Sequence, residues 1–289
     1  MKHSKKLTIF IILIIIISCS FYIYKKHGKG FYELYTLKKQ LDIKPLKKNQ
    51  RSDIQLIAHA GGEIDSLTYT NSLEAMNFSY EKGARLIELD ILETSDNHFV
   101  AAHDWDKWKK TTKFKGATPP SLDEFKKHKI HGIYTPLDMQ DINNWFNNHI
   151  DAILITDKIN QPKKFSKIFI DPSRLNMELF DQQAIKEMSN LNIPNSIWAN
   201  YYIFEEMNDN ELLSYFLKKN ITNVVVGAPK DKKIQKRLDL LRNIGVKVNM
   251  YLFGNPLEIN QQVELYKDYI DRVYFNHIDC IQNKCISGE

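Results

Sequence analysis

Cysteine is scarce in this chain. Three occur in 289 residues, at Cys19, Cys280 and Cys285, which excludes a scaffold held by a framework of disulfides. Cys280 and Cys285, with four residues between them, are spaced for a small-loop bridge in an exported domain; two free thiols are the alternative. A basic excess is also missing from the body of the chain. The formal charge is +5, but residues 1–50 hold 11 Lys/Arg against 2 Asp/Glu, and the remaining 239 residues hold 29 against 33. The body is mildly acidic, and no nucleic-acid partner is expected. There is no long internal repeat and no second globular domain, so residues 51–289 read as one unit.

What is present at the N-terminus is apolar. Residues 7–24 carry no charge and are mostly Ile, Leu and Phe, with Lys2, Lys5 and Lys6 before them and Lys25 and Lys26 after. Such a run is long enough to span a bilayer, which takes roughly 17–25 residues. Its aromatic end (Phe21, Tyr22, Tyr24) suits the membrane interface, and no small-x-small cleavage site follows. Residues 1–24 are therefore read as a cytoplasmic tail and an N-terminal transmembrane helix, with a cleaved signal peptide as the alternative. Cys19 is a poor lipoprotein cysteine because Ile16, Ile17 and Ser18 lack the small residues needed. Residues 25–50 read as a basic tether beside the membrane, where lysines meet anionic lipid or serve only as solvated linker. The expected location is the cell membrane, single-pass, with the body of the chain outside the cytoplasm. The oligomeric state is not legible.

Strand-like runs recur through the body: Gln55–Ala60, Arg85–Leu92, His98–His103, Ala152–Asp157, Arg174–Leu179, Ser196–Asn200, Asn223–Gly227, Val246–Leu252 and Arg272–Asn276. Helical stretches lie between most of them, at 72–82, 181–191, 208–219, 232–244 and 259–269. Alternation of this kind argues for a parallel sheet. One gap breaks the rule. Five residues, Glu93-Thr-Ser-Asp-Asn97, separate the second and third strands, too few for a parallel crossover. The third strand must return antiparallel, as a hairpin arm. Eight strands remain over about 240 residues, the size of a closed (β/α)8 TIM barrel, typically ~250 residues. The expected fold is thus an α/β TIM barrel with a β-hairpin insertion after strand 2. Residues 107–150 read as a long, polar, Lys-rich connection, either a substrate cover or a solvated insertion with a short helix at 122–129.

Glu88 and Asp90 lie two apart in the apolar run Arg85-Leu-Ile-Glu-Leu-Asp-Ile-Leu92. On a strand they share a face. Two buried like charges are costly without a cation, and oxygen ligands suit Mg2+ or Ca2+. His59 precedes them and His103 follows them, and both fall at C-terminal strand ends, where barrel active sites sit. Asp157 closes Ile153-Leu-Ile-Thr-Asp157 and adds a third carboxylate to the same mouth. One cation with two imidazoles, one as acid and one as base, suits phosphodiester cleavage. His277 follows the last strand and is a candidate contact at the mouth. Trp105 and Trp108 are read either as an apolar wall beside the site or as plain packing. Asn71 and Ser72 read as helix-cap residues, His131 and His149 as surface residues, and Tyr251 and Asn249 as sharing a face toward the barrel.

The motifs His59-Ala60-Gly61, Tyr69-Thr-Asn-Ser-Leu-Glu-Ala75, Glu88-Leu-Asp90, Thr94-Ser-Asp96 and His103-Asp104, in that order, resemble the glycerophosphodiester phosphodiesterase family of phosphatidylinositol-phospholipase-C-like barrels. The likeness is dense over 56–105 and thinner at Ile155-Thr-Asp157. It implies His59 and His103 as the acid/base pair and Glu88, Asp90 and Asp157 as ligands of one divalent cation. It also implies attack on phosphorus by the substrate's neighbouring glycerol hydroxyl, giving a cyclic phosphate that is then hydrolysed. The implied substrate is a glycerophosphodiester or a related glycerol-phosphate or lipid head group. A lyase-type enzyme that stops at the cyclic phosphate, and an inactive barrel that binds a phosphorylated glycan or lipid, are the alternatives. Two positions depart from the family pattern. Its phosphate-binding arginine is replaced by Ala60. Its lysine two residues past the third carboxylate is replaced by Ile159, with Lys158 the nearest lysine. Lys107, Lys109 and Lys158 are the candidates for the missing phosphate contact, and Asp104 is expected to point away from His103 if its strand stays regular.

Overall fold

The computed structural model describes residues 54–191, 193–198, 206–252, 256–276, 280–281 and 284–285. The expected membrane helix and tether, and His277, lie outside the described residues. Among the described residues no helix is long and apolar enough to cross a membrane.

Nine strands build the main sheet: β1 Gln55–Ala58, β2 Leu86–Glu93, β3 Phe99–Ala101, β4 Ile153–Asp157, β5 Leu175–Leu179, β6 Asn195–Trp198, β7 Asn223–Val226, β8 Lys247–Met250 and β9 Arg272–Phe275. Their order is β1-β9-β8-β7-β6-β5-β4-β2, and β1 also pairs with β2, so eight parallel strands close on themselves. β3 runs antiparallel on the far end of β2, pairing Ile91 with Ala101 and Glu93 with Phe99. The hairpin inferred from the short 93–97 gap is therefore present. Its turn is fastened by Thr94, whose hydroxyl donates to Asp96 at 2.6 Å and accepts from the His98 N–H at 3.0 Å. Two short strands, β10 Cys280–Ile281 and β11 Lys284–Cys285, pair antiparallel with Cys280 opposite Cys285.

Each barrel strand buries both faces, which is why β2 is a nearly continuous apolar run. Its outward residues Ile87, Leu89 and Ile91 join the main core beneath the helices. Inward, Ile57, Leu86, Ile155, Val225 and Tyr274 pack on one another inside the barrel. The helices are α1 Leu73–Glu81, α2 Trp105–Thr112, α3 Leu122–Lys127, α4 Met139–Asn148, α5 Pro162–Phe165, α6 Gln182–Met188, α7 Asp209–Lys218, α8 Lys232–Arg242 and α9 Pro256–Tyr266. Polar caps set their starts. Ser72 accepts from the Ala75 N–H, and Ser121 with Glu124, Asp138 with Asp141 and Asn208 with Glu211 form capping boxes.

The short helix expected at 122–129 is α3, but residues 107–150 also hold most of α2 and all of α4, and their Trp108, Phe114 and Phe125 join Val100 and Ala102 in a separate apolar cluster. Trp108 stacks on Phe125 with ring centroids 5.4 Å apart. α4 is the crossover helix that the parallel β2–β4 pair requires. The aromatic anchors of this region are spaced among lysines, so no window of it reads as apolar. Phe125 is fully buried in the cluster, and Phe125→Ala is expected to lower stability by about 3–5 kcal/mol, read as a fall in the urea midpoint at unchanged slope.

Candidate active site

β1 ends in a tight turn, His59–Gly61, that folds back over the barrel mouth. Ala60 adopts a left-handed backbone, φ 50°, and this aims its N–H at Glu88, whose Oε2 accepts at 2.6 Å. The turn lies close on α1: a Cβ at Gly62 would stand 2.0 Å from Ser79 Oγ, and that hydroxyl donates to the Gly61 carbonyl at 2.6 Å. Only glycine fits at Gly62.

Glu88 and Asp90 are buried on the inner face of β2. The Cα register puts Asp157 of β4 beside Asp90. One carboxylate oxygen from each of the three lies within 4.8 Å of the others. Asn71 clamps Asp90 twice, donating to Oδ2 at 2.9 Å and accepting from the Asp90 N–H at 3.0 Å. The cap of α1 belongs to Ser72; Asn71, expected as a cap, instead holds the acidic cluster. Glu88 Oε1 and Asp90 Oδ1 are buried without a hydrogen-bond partner. Burial pushes the Glu88 carboxyl well above the usual carboxylate range, and the charges of Asp90 and Asp157 push the same way. Burial also raises Asp90, against the bond from Asn71. Orphaned, desolvated oxygens converging from three carboxylates are what a hard divalent cation requires, so these residues fit one.

His59 is buried, and its Nδ1 bonds Asn276 Oδ1 at 2.9 Å, which leaves Nε2 facing the cluster, 3.9 Å from Glu88 Oε2. Burial lowers its pKa to about 4, against the opposing bond to Asn276. His103 lies just past β3, where the strand has ended. Asp104 therefore does not alternate away from it, contrary to the strand-based expectation. Its Oδ2 sits 2.6 Å from His103 Nδ1 while Oδ1 caps α2 by accepting from the Lys107 N–H at 2.6 Å. Both imidazoles are thus held through Nδ1 by a side-chain oxygen.

Lys158 was expected to face away along a regular strand. It has left-handed φ, 67°, which turns its side chain back. The ammonium reaches Asp157 Oδ2 at 2.8 Å and Asp90 Oδ1 at 3.9 Å. Burial lowers its pKa, yet Asp157, Asp90 and Glu88 together hold it above the ordinary value. Ile159 is buried in the core. Lys109 donates to the Gly116 carbonyl at 2.8 Å, and Trp105 packs edge-on to Trp108 (5.9 Å) and Phe125 (6.3 Å) in the separate cluster. The structure thus gathers His59, Glu88, Asp90, His103, Asp157 and Lys158, and gives Trp105 a packing role. Asn276, Tyr69 and the buried Glu178–Tyr274 hydroxyl pair were not singled out from the sequence. The signal for Asn276 was there: it follows Tyr274 by two residues at a strand end, the same alternation that marked Glu88 and Asp90.

The mouth of a closed parallel barrel thus carries an acid cluster flanked by two histidines. Residues 59–158 match the model of the Glycerophosphoryl diester phosphodiesterase family. That stretch, about a third of the chain, holds both histidines and all three carboxylates. Solved structures share the fold. A glycerophosphoryl diester phosphodiesterase from Parabacteroides distasonis aligns with TM-score 0.63 at 14% identity, over 81% of this chain and 90% of that one. One from Thermotoga maritima aligns with TM-score 0.61 at 18%, over 78% and 95%. An Oleispira antarctica phosphodiesterase, solved with the product sn-glycerol-3-phosphate, aligns with TM-score 0.61 at 14%, over 77% and 93%. No curated protein matches the chain.

A cation must displace protons that Glu88 and Asp90 hold at higher pH than ordinary carboxylates do. Calorimetric affinity for Mg2+ or Ca2+ is therefore expected to rise from pH 6 to pH 8 with net proton release, and Asn71→Ala is expected to weaken it about tenfold or more. PH-independent binding would contradict the cluster as the cation site.

Proposed function

We propose that the chain is a membrane-anchored, metal-dependent glycerophosphodiester phosphodiesterase working by histidine acid/base catalysis. The observation that carries this reading is the convergence of three carboxylates, two with buried unpaired oxygens, between two imidazoles. Glu88, Asp90 and Asp157 would hold one divalent cation, Mg2+ or Ca2+, and that cation supplies charge stabilisation to the phosphoryl oxygens.

The two imidazoles differ in a way that separates their roles. His59, buried and held neutral near physiological pH, takes the proton of the attacking hydroxyl at Nε2. The hydroxyl oxygen bonds phosphorus, and the bond to the leaving alcohol breaks. His103 gives its Nε2 proton to the departing alkoxide. The Asp104 carboxylate on its Nδ1 orients the ring and offsets its charge when protonated, as in other carboxylate–histidine pairs. Lys158 would leave the carboxylates to contact the phosphate in place of the arginine absent at Ala60. Residues 7–24 would hold the enzyme at the cell membrane, with the barrel outside the cytoplasm and a small phosphodiester or lipid head group as partner.

Full-length protein in detergent is expected to release alcohol from a glycerophosphodiester, stop with chelator, and resume with Mg2+ or Ca2+. His59→Ala and His103→Ala are each expected to lower kcat by about 10²–10⁴, and Glu88→Gln to abolish cation binding. Undiminished turnover in all three variants would refute the mechanism. Phosphorus NMR reads whether the product is the monoester or a cyclic phosphate. Removing residues 1–24 is expected to shift the protein from the membrane to the soluble fraction.

A further inference from the structure

Tyr69 stands between the two histidines. Its ring meets His59 edge-on at 4.6 Å and His103 at 4.9 Å between centroids. Its hydroxyl shares a 2.8 Å hydrogen bond with that of Tyr251, at the end of β8. A left-handed backbone, φ 59°, projects it there from the loop before α1. Over the face of this ring lies the ammonium of Lys107, 3.6 Å from the centroid. Lys107 belongs to the first turn of α2, four residues after His103. It is half-buried, and among the described residues it forms no ion pair; Asp104, Asp90 and Lys158 are the charges that reach it at longer range.

We propose that Lys107, seated on Tyr69, reads the charge of the leaving alcohol and favours anionic and neutral polyols over cationic amino alcohols. This rests on the function proposed above, since His103 as the acid places the leaving oxygen on the Lys107 side of the mouth. Two physical effects point the same way. An open aromatic face beside the leaving group would attract a quaternary ammonium. Here that face is already covered by a cation. The same ammonium, partly withdrawn from water, repels a second positive charge and attracts a negative one over several ångströms. Lys158 is engaged by Asp157 and Asp90 here and by the phosphate in the function proposed above, so it does not duplicate this field at the leaving group. The class of substrate that fits is a glycerol-phosphate diester whose other alcohol is glycerol, another polyol, or the next unit of a glycerol-phosphate chain.

The test uses the full-length protein and three diesters that share the glycerol-3-phosphoryl group. Their leaving groups are choline, glycerol, and glycerol bearing a second phosphate. The expected kcat/KM rises about tenfold at each step in that order, and the spread shrinks at high salt. Lys107→Gln is expected to compress the spread to about threefold, and Lys107→Glu to reverse it. Non-hydrolysable phosphonate analogues of the three diesters, titrated calorimetrically, give the same comparison for any variant that turns over too slowly. Wild-type turnover that ignores leaving-group charge, or a Lys107→Gln protein that keeps the wild-type spread in both rate and binding, overturns the inference. Wild-type protein that neither cleaves nor binds any of the three overturns the phosphodiesterase reading itself.

Discussion

Two carboxylates on the inner face of a strand that is otherwise apolar set the terms for this barrel. Glu88 and Asp90 cannot reach water from β2, and neighbouring like charges under low polarisability are strongly disfavoured. The chain answers with backbone and amide donors rather than with an arginine. The N–H of Ala60 takes one oxygen of Glu88, and Asn71 takes one oxygen of Asp90. Those two donors dictate the course of the whole 59–72 segment. It must turn left-handed at Ala60 and lie down tightly enough on α1 to need glycine at Gly62. The segment is itself tied together by the Asn71 N–H, which donates to the Ala60 carbonyl at 3.0 Å. What remains are two oxygens with no hydrogen-bond partner, which either a proton or a cation would relieve.

The surroundings of the two imidazoles are unlike because they come from different kinds of structure. His59 belongs to the barrel itself, beneath Tyr69, Tyr251 and Tyr274. His103 is carried by the hairpin arm, a graft on the extended end of β2, and keeps contact with solvent. One ring is thus enclosed by aromatic side chains, and the other rests on a carboxylate beside solvent.

The barrel was legible because its signals are local. Strand runs of five to eight residues, helical stretches between them and one gap too short for a crossover determine the topology without any tertiary information. Glu88, Asp90 and Asp157 were legible for the same reason, through alternation. The misreadings share one cause. Lys158 and Asp104 were placed by extending strand alternation past the strand end, by one residue after Asp157 and by three after Ala101. Asn71 was read as a cap because its type suits a cap, and only the fold shows that Ser72 performs that task. Residues 107–150 looked solvated because Trp108, Phe114 and Phe125 meet only after α2 and α3 have docked. Tyr69 opens one of the quoted motifs, but nothing local marks its place between two rings, which depends on three separate segments.

The hydrogen bond between His59 and Asn276 joins residues 217 positions apart, across the seam where the first strand meets the last. Among the described residues, the bonds on Glu88 and Asp90 and the ion pair on Asp157 form within residues 59–158. His59 thus gains this partner only once the last strand of the barrel has docked. A nascent chain emerging N-terminus first could assemble its carboxylates early, while the His59–Asn276 tie waits for closure of the cylinder.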